Sequence, residues 1–224
     1  MIRFALFAVA TILFGLSSVN AGEPRTLNWD MLLPKLPEFA SPFLDLPEDQ
    51  QIDIELLADI RWMEVNGGIT KGGPMDEERI DLTRQLTEQD VDIEASLRDY
   101  ENLRIEANKR NRVIVPELSG AMVRMPGYAL PLEYEGESVT EFLLVPYVGA
   151  CIHAPPPPPN QMVYVKVNQS FVIKDLFEAV WVTGRLEAKT TSKKLSFIDG
   201  QAAVEAGYVM EGTNIEYYEA DRLR

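Results

Sequence analysis

Met162-Val163-Tyr164-Val165-Lys166-Val167 and Val180-Trp181-Val182-Thr183-Gly184-Arg185-Leu186-Glu187-Ala188 decide the fold. Both runs are dense in β-branched residues and alternate with a period of two, the pattern of strands with one face toward a core. Val113–Met125 (with Pro116 marking its edge), Glu141–Val148 and Ala202–Glu211 share it. Asn214–Tyr218 either extends the last run or adds a sixth strand. Gly120 and Gly184 fall inside strands, which suits bulges or sharp bends. A short helical piece, Ile173–Glu178, separates the third and fourth strands. Five strands with a helix between the third and fourth is the layout of an OB-type barrel. A small β-sandwich, or an open barrel of different strand order, is the alternative.

Before residue 111 the pattern is helical. Ile52, Leu56, Leu57, Ile60 and Met63 recur at helical spacing, and Asn66-Gly67-Gly68 ends that helix. Asp76-Glu77-Glu78 suits the start of a second, short helix. Thr87-Glu88-Gln89-Asp90 resembles a capping box for a third, running to about Lys109 with Ile93, Leu97, Tyr100 and Arg104 on one stripe. The acidic runs read as complements to helix dipoles and as solvated faces, against a metal reading. Residues 22–46 are punctuated by prolines and interleaved with Trp29, Leu32, Leu33, Leu36, Phe39, Phe43 and Leu44. That is too apolar for a free linker, so an extended arm laid over a hydrophobic surface is expected. The expected order is therefore α+β: signal peptide 1–21, arm 22–46, helical region 47–111 and OB-like five-stranded barrel 112–219.

The 224 residues carry 21 Lys+Arg against 35 Asp+Glu, a formal charge of −14. That balance disfavours nucleic acid, which needs clustered Lys and Arg, and an anionic membrane surface. With one Cys and one His, neither a disulfide framework nor a zinc site built mainly from these residues is available.

Arg3 followed by the apolar run Phe4–Leu16, then Ser17–Ala21 with Val19 and Ala21 at the −3 and −1 positions, reads as a secretory signal peptide. The run is shorter than the about 20 apolar residues a membrane span needs. A periplasmic protein with no membrane insertion after cleavage is expected. That compartment is oxidising, so Cys151 is expected to be buried, bound, paired with another chain or chemically active.

Tyr147-Val148-Gly149-Ala150-Cys151-Ile152-His153-Ala154, then Pro155, Pro156, Pro157, Pro158 and Pro159, then Asn160-Gln161, holds the only Cys and the only His. On an extended segment, residues two apart face the same way, their Cα atoms about 6.7 Å apart. Cys151 and His153 can therefore both approach one metal ion, and thiolate with imidazole suits zinc or copper. Further ligands would come from carboxylates such as Glu117, Glu133 or Glu141, from water or from another protein. The other reading makes Cys151 a small buried hydrophobe and His153 a hydrogen-bonded structural residue. A thiolate nucleophile with His153 as base is a third, but two residues on one strand do not readily bring sulfur to ring nitrogen, and no third orienting group is evident. The prolines form roughly 15 Å of stiff polyproline rod. The rod with its flanks Tyr147, Asn160 and Gln161 either docks on a partner's aromatic groove, as in a metal-free envelope interaction module, or is a rigid loop packed on Tyr147, Tyr164 or Trp181. Lys193-Lys194 reads as a short basic turn, and Met122, Met125, Met162 and Met210 as core or edge filler.

Phe142-Leu143-Leu144-Val145-Pro146-Tyr147-x-Gly149-Ala150-Cys151-Ile152-His153, with the prolines and Asn160-Gln161, resembles an uncharacterised family of exported bacterial proteins, domain of unknown function 3299. Leu118-Ser119-Gly120 with Pro131-Leu132-Glu133, and Trp29-Asp30 with Leu33-Pro34, carry the resemblance too. It covers about residues 112–212. Members resemble accessory components encoded beside zinc-regulated ABC transporters. The resemblance implies a role in envelope metal handling, zinc foremost, and a non-enzymatic protein is expected. Cys151 and His153 would be metal or partner contacts, and an envelope protein or ABC transporter component the partner. The acidic helical stretch is not accounted for by the motif. Periplasmic zinc carriers usually show several His, so a single His fits a transient site shared with a partner better than high-affinity capture.

Overall fold

A computed structural model describes residues 23–135, 138–149, 156–172, 177–197 and 200–218. Among these residues, three α-helices precede five long strands: α1 (Glu48–Val65), α2 (Pro74–Glu88), α3 (Ile93–Arg110), β2 (Ala121–Glu135), β3 (Ser138–Val145), β4 (Val163–Phe171), β5 (Glu178–Phe197) and β6 (Gly200–Tyr217). A two-residue strand in the arm, β1 (Arg25–Thr26), lies parallel to β2. The chain is thus mixed α+β.

The long strands close a ring. β2 pairs with β3, β3 with β4, β4 in parallel with β6, β6 with β5, and β5 back with β2. β2 serves two neighbours in succession, pairing with β5 over Ala121–Ala129 and with β3 over Tyr128–Glu135. This explains how one strand tolerates two prolines, which have no N–H for a ladder. Pro126 lies where β2 pairs with β5 alone, and Pro131 where it pairs with β3 alone. Gly127 sits near the changeover because a Cβ there would come within 2.7 Å of Leu144 and 2.9 Å of the Trp29 ring.

β3 and β4 are covered on both faces. Phe142 and Leu144 of β3 with Val163, Val165 and Val167 of β4 belong to one buried cluster, joined by Leu27 and Leu32 from the arm. Their alternates, Leu143, Val145, Met162 and Tyr164, belong to a second, joined by Val204 and Ala206 of β6. Yet Tyr208 and Met210, of the same parity on β6 as Val204 and Ala206, fall in the first cluster. β6 therefore passes from one face of the sheet to the other around Gly207. The register break between Ala188 and Thr191 on β5 lies opposite this point. The distal half of the β5–β6 hairpin is a strap over the outer face of β3 and β4.

Several expectations need correction. The strand expected over Val113–Met125 begins at Ala121, after a short 3-10 turn at Pro116–Leu118 and Gly120 at φ +82°. β-branched Val113-Ile114-Val115 mimics a strand but is held by side chains from elsewhere. β3 starts before Glu141 and stops at Val145, ahead of Pro146. The expected basic turn at Lys193-Lys194 is part of β5, and Asn214–Tyr217 continues β6. Gly184 does mark a register shift. Of the helical piece expected at Ile173–Glu178, residues 173–176 lie outside the described residues, and Glu178 opens β5.

In the helical region, α1 ends at Asn66 as expected, with Gly67 at φ +75° and the Gly68 N–H bonded to the Met63 carbonyl. Its buried stripe is Ile54, Leu57 and Ile60, whereas Ile52 and Leu56 face solvent. Thr87-Glu88-Gln89-Asp90 ends α2 instead of capping α3. Asp90 adopts φ +60°, the Val91 N–H reaches the Leu86 carbonyl and the Asp90 N–H that of Thr87, a Schellman motif. The side chain of Asp92, accepting from the Ala95 N–H, caps α3. Phe43 of the arm inserts into this three-helix core, its ring 5.0 Å from that of Tyr100.

Tyr208 ties the parts together. Fully buried, it donates its hydroxyl hydrogen to the Leu32 carbonyl at 2.7 Å and accepts from the Val115 N–H at 2.8 Å. Burial, with the Glu117 carboxylate adding to it and the Val115 N–H opposing, pushes its phenol above the usual tyrosine range, so it remains a neutral O–H. Tyr208→Phe should keep the fold but lower stability by about 1–3 kcal/mol, because two backbone groups lose their partner. The shift of the urea denaturation midpoint at unchanged slope measures it.

Candidate functional site

The stretch singled out by sequence lies between β3 and β4. Residues 150–155, with Cys151, His153 and Pro155, lie outside the described residues. Both flanks are described. On the β3 side, Tyr147 and Val148 are exposed, and Gly149 is buried at φ +81°, a backbone conformation that favours glycine. On the β4 side, Pro156 is exposed, Pro157 buried, and Pro158 and Pro159 partly buried.

The far end of the proline run is fixed by polar contacts. Asn160 is 2% exposed. Its amide donates to the carbonyls of Arg110 at 3.0 Å and Val113 at 3.2 Å, and its backbone N–H to that of Asn111 at 3.0 Å. These bonds hold the chain leaving α3, which is why Val113–Val115 needs no sheet. The Asn160 Oδ1 is buried and takes no hydrogen bond from the described residues. Gln161 donates to the Trp29 carbonyl at 3.0 Å, gripping the arm. The turn lies against β6 at Gly207, where a Cβ would come within 2.8 Å of the Pro159 carbonyl oxygen and 2.9 Å of Ile114. Asn160 and Gln161 thus spend their side-chain donors inside the protein.

The prolines face a cleft of about 390 Å³ against the strap, lined by Pro156, Pro157 and Pro159 with Met162, Val204 and Glu205. Arg112 bridges to Glu205 at 2.9 Å on its wall. Trp181, a surface considered for the prolines, lines a different recess of about 360 Å³ with Trp29, Tyr128 and Tyr218. There the Arg124 guanidinium sits 4.0 Å above the Trp181 ring and pairs with Glu216 at 2.8 Å.

A second group of chemistry-bearing side chains escaped the sequence reading. Glu141 on β3, only 8% exposed, lies 3.3 Å from Lys193 of the strap and 3.7 Å from Lys166 of β4. The Lys193 ammonium also sits 4.3 Å above the Tyr164 ring. Burial pushes the Glu141 carboxyl up, but hydrogen bonds from Tyr164 and Lys193 and the charges of both lysines outweigh it, leaving the carboxyl below its usual range. The Tyr164 hydrogen bond, with Glu141 adding to it, holds Lys193 protonated more firmly than usual. The sequence offers these residues only separately, Glu141 as a conceivable metal ligand, Lys193 in a basic turn and Tyr164 as a surface for the prolines; their convergence depends on strand register and hairpin curvature, which local sequence does not encode. Among the described residues, no group of three or more His, Cys, Asp or Glu is placed to hold a metal ion. No described helix is long and apolar enough to cross a membrane.

A family model described as "Protein of unknown function (DUF3299)" matches residues 29–217, and the chain belongs to that family. It is similar to a DUF3299 family protein from Pseudomonas aeruginosa PAO1 of known crystal structure, with 29% identity over 89% of this chain and 99% of that one and a TM-score of 0.47. None of the curated proteins matches.

Because Glu141 is more acidic folded than unfolded, its stabilisation is fully present above its ordinary value of 4.5 and is lost as the pH falls through the folded value. Thermal melts from pH 6 down to about pH 3 should therefore show a steeper loss of stability for the wild type than for Glu141→Gln.

Proposed function

We propose that this chain is a non-enzymatic, exported accessory protein of a metal transport or homeostasis system, zinc being the preferred metal, with Cys151 and His153 as the metal or partner contact. The observation that carries the reading is the anchoring of both flanks of that segment. Gly149 is buried on one side, and on the other the prolines end on Asn160, bonded to the α3 exit. Thiolate and imidazole, two residues apart in the sequence between these flanks, are a donor pair that suits zinc. Export rests on the apolar run Phe4–Leu16 and the Val19-x-Ala21 site in the sequence. The partner in this reading is an envelope protein or an ABC transporter component.

The same reading takes the strand ring as an OB-like barrel. Counting β2 to β6 as first to fifth, the order is first, second, third, fifth, fourth and back to first, with the third and fifth parallel. OB barrels bind oligonucleotides on the face of their second and third strands. Here that face carries the strap, which agrees with the −14 charge in disfavouring nucleic acid.

The second reading is a metal-free envelope interaction module. Tyr147, Val148 and Pro156 are exposed at the rims of the loop, and they support it. Docking would then fall on these residues, since Asn160 is enclosed.

Zinc titration of the reduced mature protein by calorimetry tests the first reading. Binding of about one ion per chain is expected, lost in both Cys151→Ser and His153→Ala while their denaturation midpoints hold. Heat from zinc that is unchanged in both variants, or absent in the wild type, contradicts it.

A further inference from the structure

Helix α1 carries apolar side chains on two sides. Ile54, Leu57 and Ile60 are fully buried against α2 and α3. Ile52, Leu56 and Trp62, roughly half a turn round the helix, are 58%, 36% and 65% exposed. The same side carries Glu48, Glu55 and Asp59, all exposed. Among the described residues, none of these three carboxylates enters an ion pair. The helix has six carboxylates and one cation. That cation, Arg61, is held by Glu94 of α3 at 2.8 Å. Arg104 of α3, which shares the surroundings of Tyr100 with Glu55 and Asp59, is paired with Glu101 at 3.5 Å. The stripe from Glu48 to Trp62, about 21 Å long, is therefore apolar and negative at once.

A single exposed apolar residue is ordinary, but three along one stripe with carboxylates between them form a seam, and its charge selects the occupant. A second copy of the chain would set carboxylates against carboxylates. An anionic lipid surface would be repelled. An extended peptide finds no free main-chain groups along the flank of a helix. A helix with its own apolar seam and Lys or Arg at the flanks meets both requirements, because side chains at helical spacing pack into one another while the flanking charges pair.

We infer that the outer face of α1 is a docking face for a basic amphipathic helix of a partner protein. The apolar seam of that helix packs on Ile52, Leu56 and Trp62, and its cations pair with Glu48, Glu55 and Asp59. The inference rests on neither reading of the Cys-x-His loop.

The probe is a fluorescein-labelled synthetic helical peptide of about three heptads, with Leu on its seam and Lys at its flanks, beside a counterpart with Glu in place of Lys. Each is titrated with the full chain and read by fluorescence anisotropy. Saturable binding of the Lys peptide is expected, weakening as salt is raised. Ile52→Ser and Trp62→Ala should each weaken it at least about tenfold. The double variant Glu55→Gln/Asp59→Asn should weaken it about three- to tenfold and flatten the salt dependence. All four positions are exposed, so the melting temperatures should stay at the wild-type value. Absence of saturable binding overturns the proposal. Wild-type affinity in both Ile52→Ser and Trp62→Ala does so too, since charge alone would then hold the peptide, and so does equal binding of the Glu counterpart. Loss of binding in Val148→Ser would place docking on the loop between β3 and β4 instead. Self-association of the wild type in sedimentation equilibrium, abolished by Trp62→Ala, would give the face to a second copy and likewise overturn it.

Discussion

Tyr208 and Asn160 hold segments together at points where, among the described residues, no strand ladder runs. The Tyr208 hydroxyl takes the Val115 N–H and gives its own hydrogen to Leu32, and the Asn160 amide gives two to Arg110 and Val113. Between them they fix the arm, the exit of the helical region and the start of β4 to one point on β6. Such bonds replace water on both sides, so each adds little, but leaving either partner buried and unpaired is expensive. Gly207 makes the arrangement sterically feasible by letting the proline turn lie directly on the strand.

That junction orders the remaining structure. Helix α3 delivers its chain to the ring through Arg110–Val115, and without Asn160 those carbonyls would need a sheet partner that β2 does not offer. The arm crosses the same place, with Leu27 and Leu32 buried in the ring's core and Phe43 in the helical core. The proline run leaves it toward Cys151 and His153. The distal half of β6 leaves it beside the proline run, and the residue that admits the proline turn is also where β6 changes faces.

The period-two pattern beyond residue 112 and the helical pattern before it were legible because both follow from side chains meeting a core at regular intervals. The helix ends were only partly so. Asn66-Gly67-Gly68 carries its own left-handed turn, but Thr87–Asp90 fits a cap and a stop equally well until the Val91 N–H is seen to bond back to Leu86. Val113–Val115 was misread because β-branched residues report a preference for extended backbone, not what pairs with it. The long reach of β2 was hidden by Pro126 and Pro131, which are tolerated only because the strand changes neighbours between them. The proline run and Asn160-Gln161 stood out as a motif, yet that Asn160 points inward follows from contacts 47 and 50 residues away. The Glu141–Lys193 pair, 52 residues apart, had no local signal.

The most direct test of the junction is a double-mutant cycle between Tyr208→Phe and Asn160→Ala, read by urea denaturation of the full chain. Both side chains secure the stretch from Arg110 to Val115, so the first substitution should release part of what the second would cost. A coupling of about 1 kcal/mol or more is expected. Effects that add to within about 0.3–0.5 kcal/mol would show two independent contacts and contradict the account.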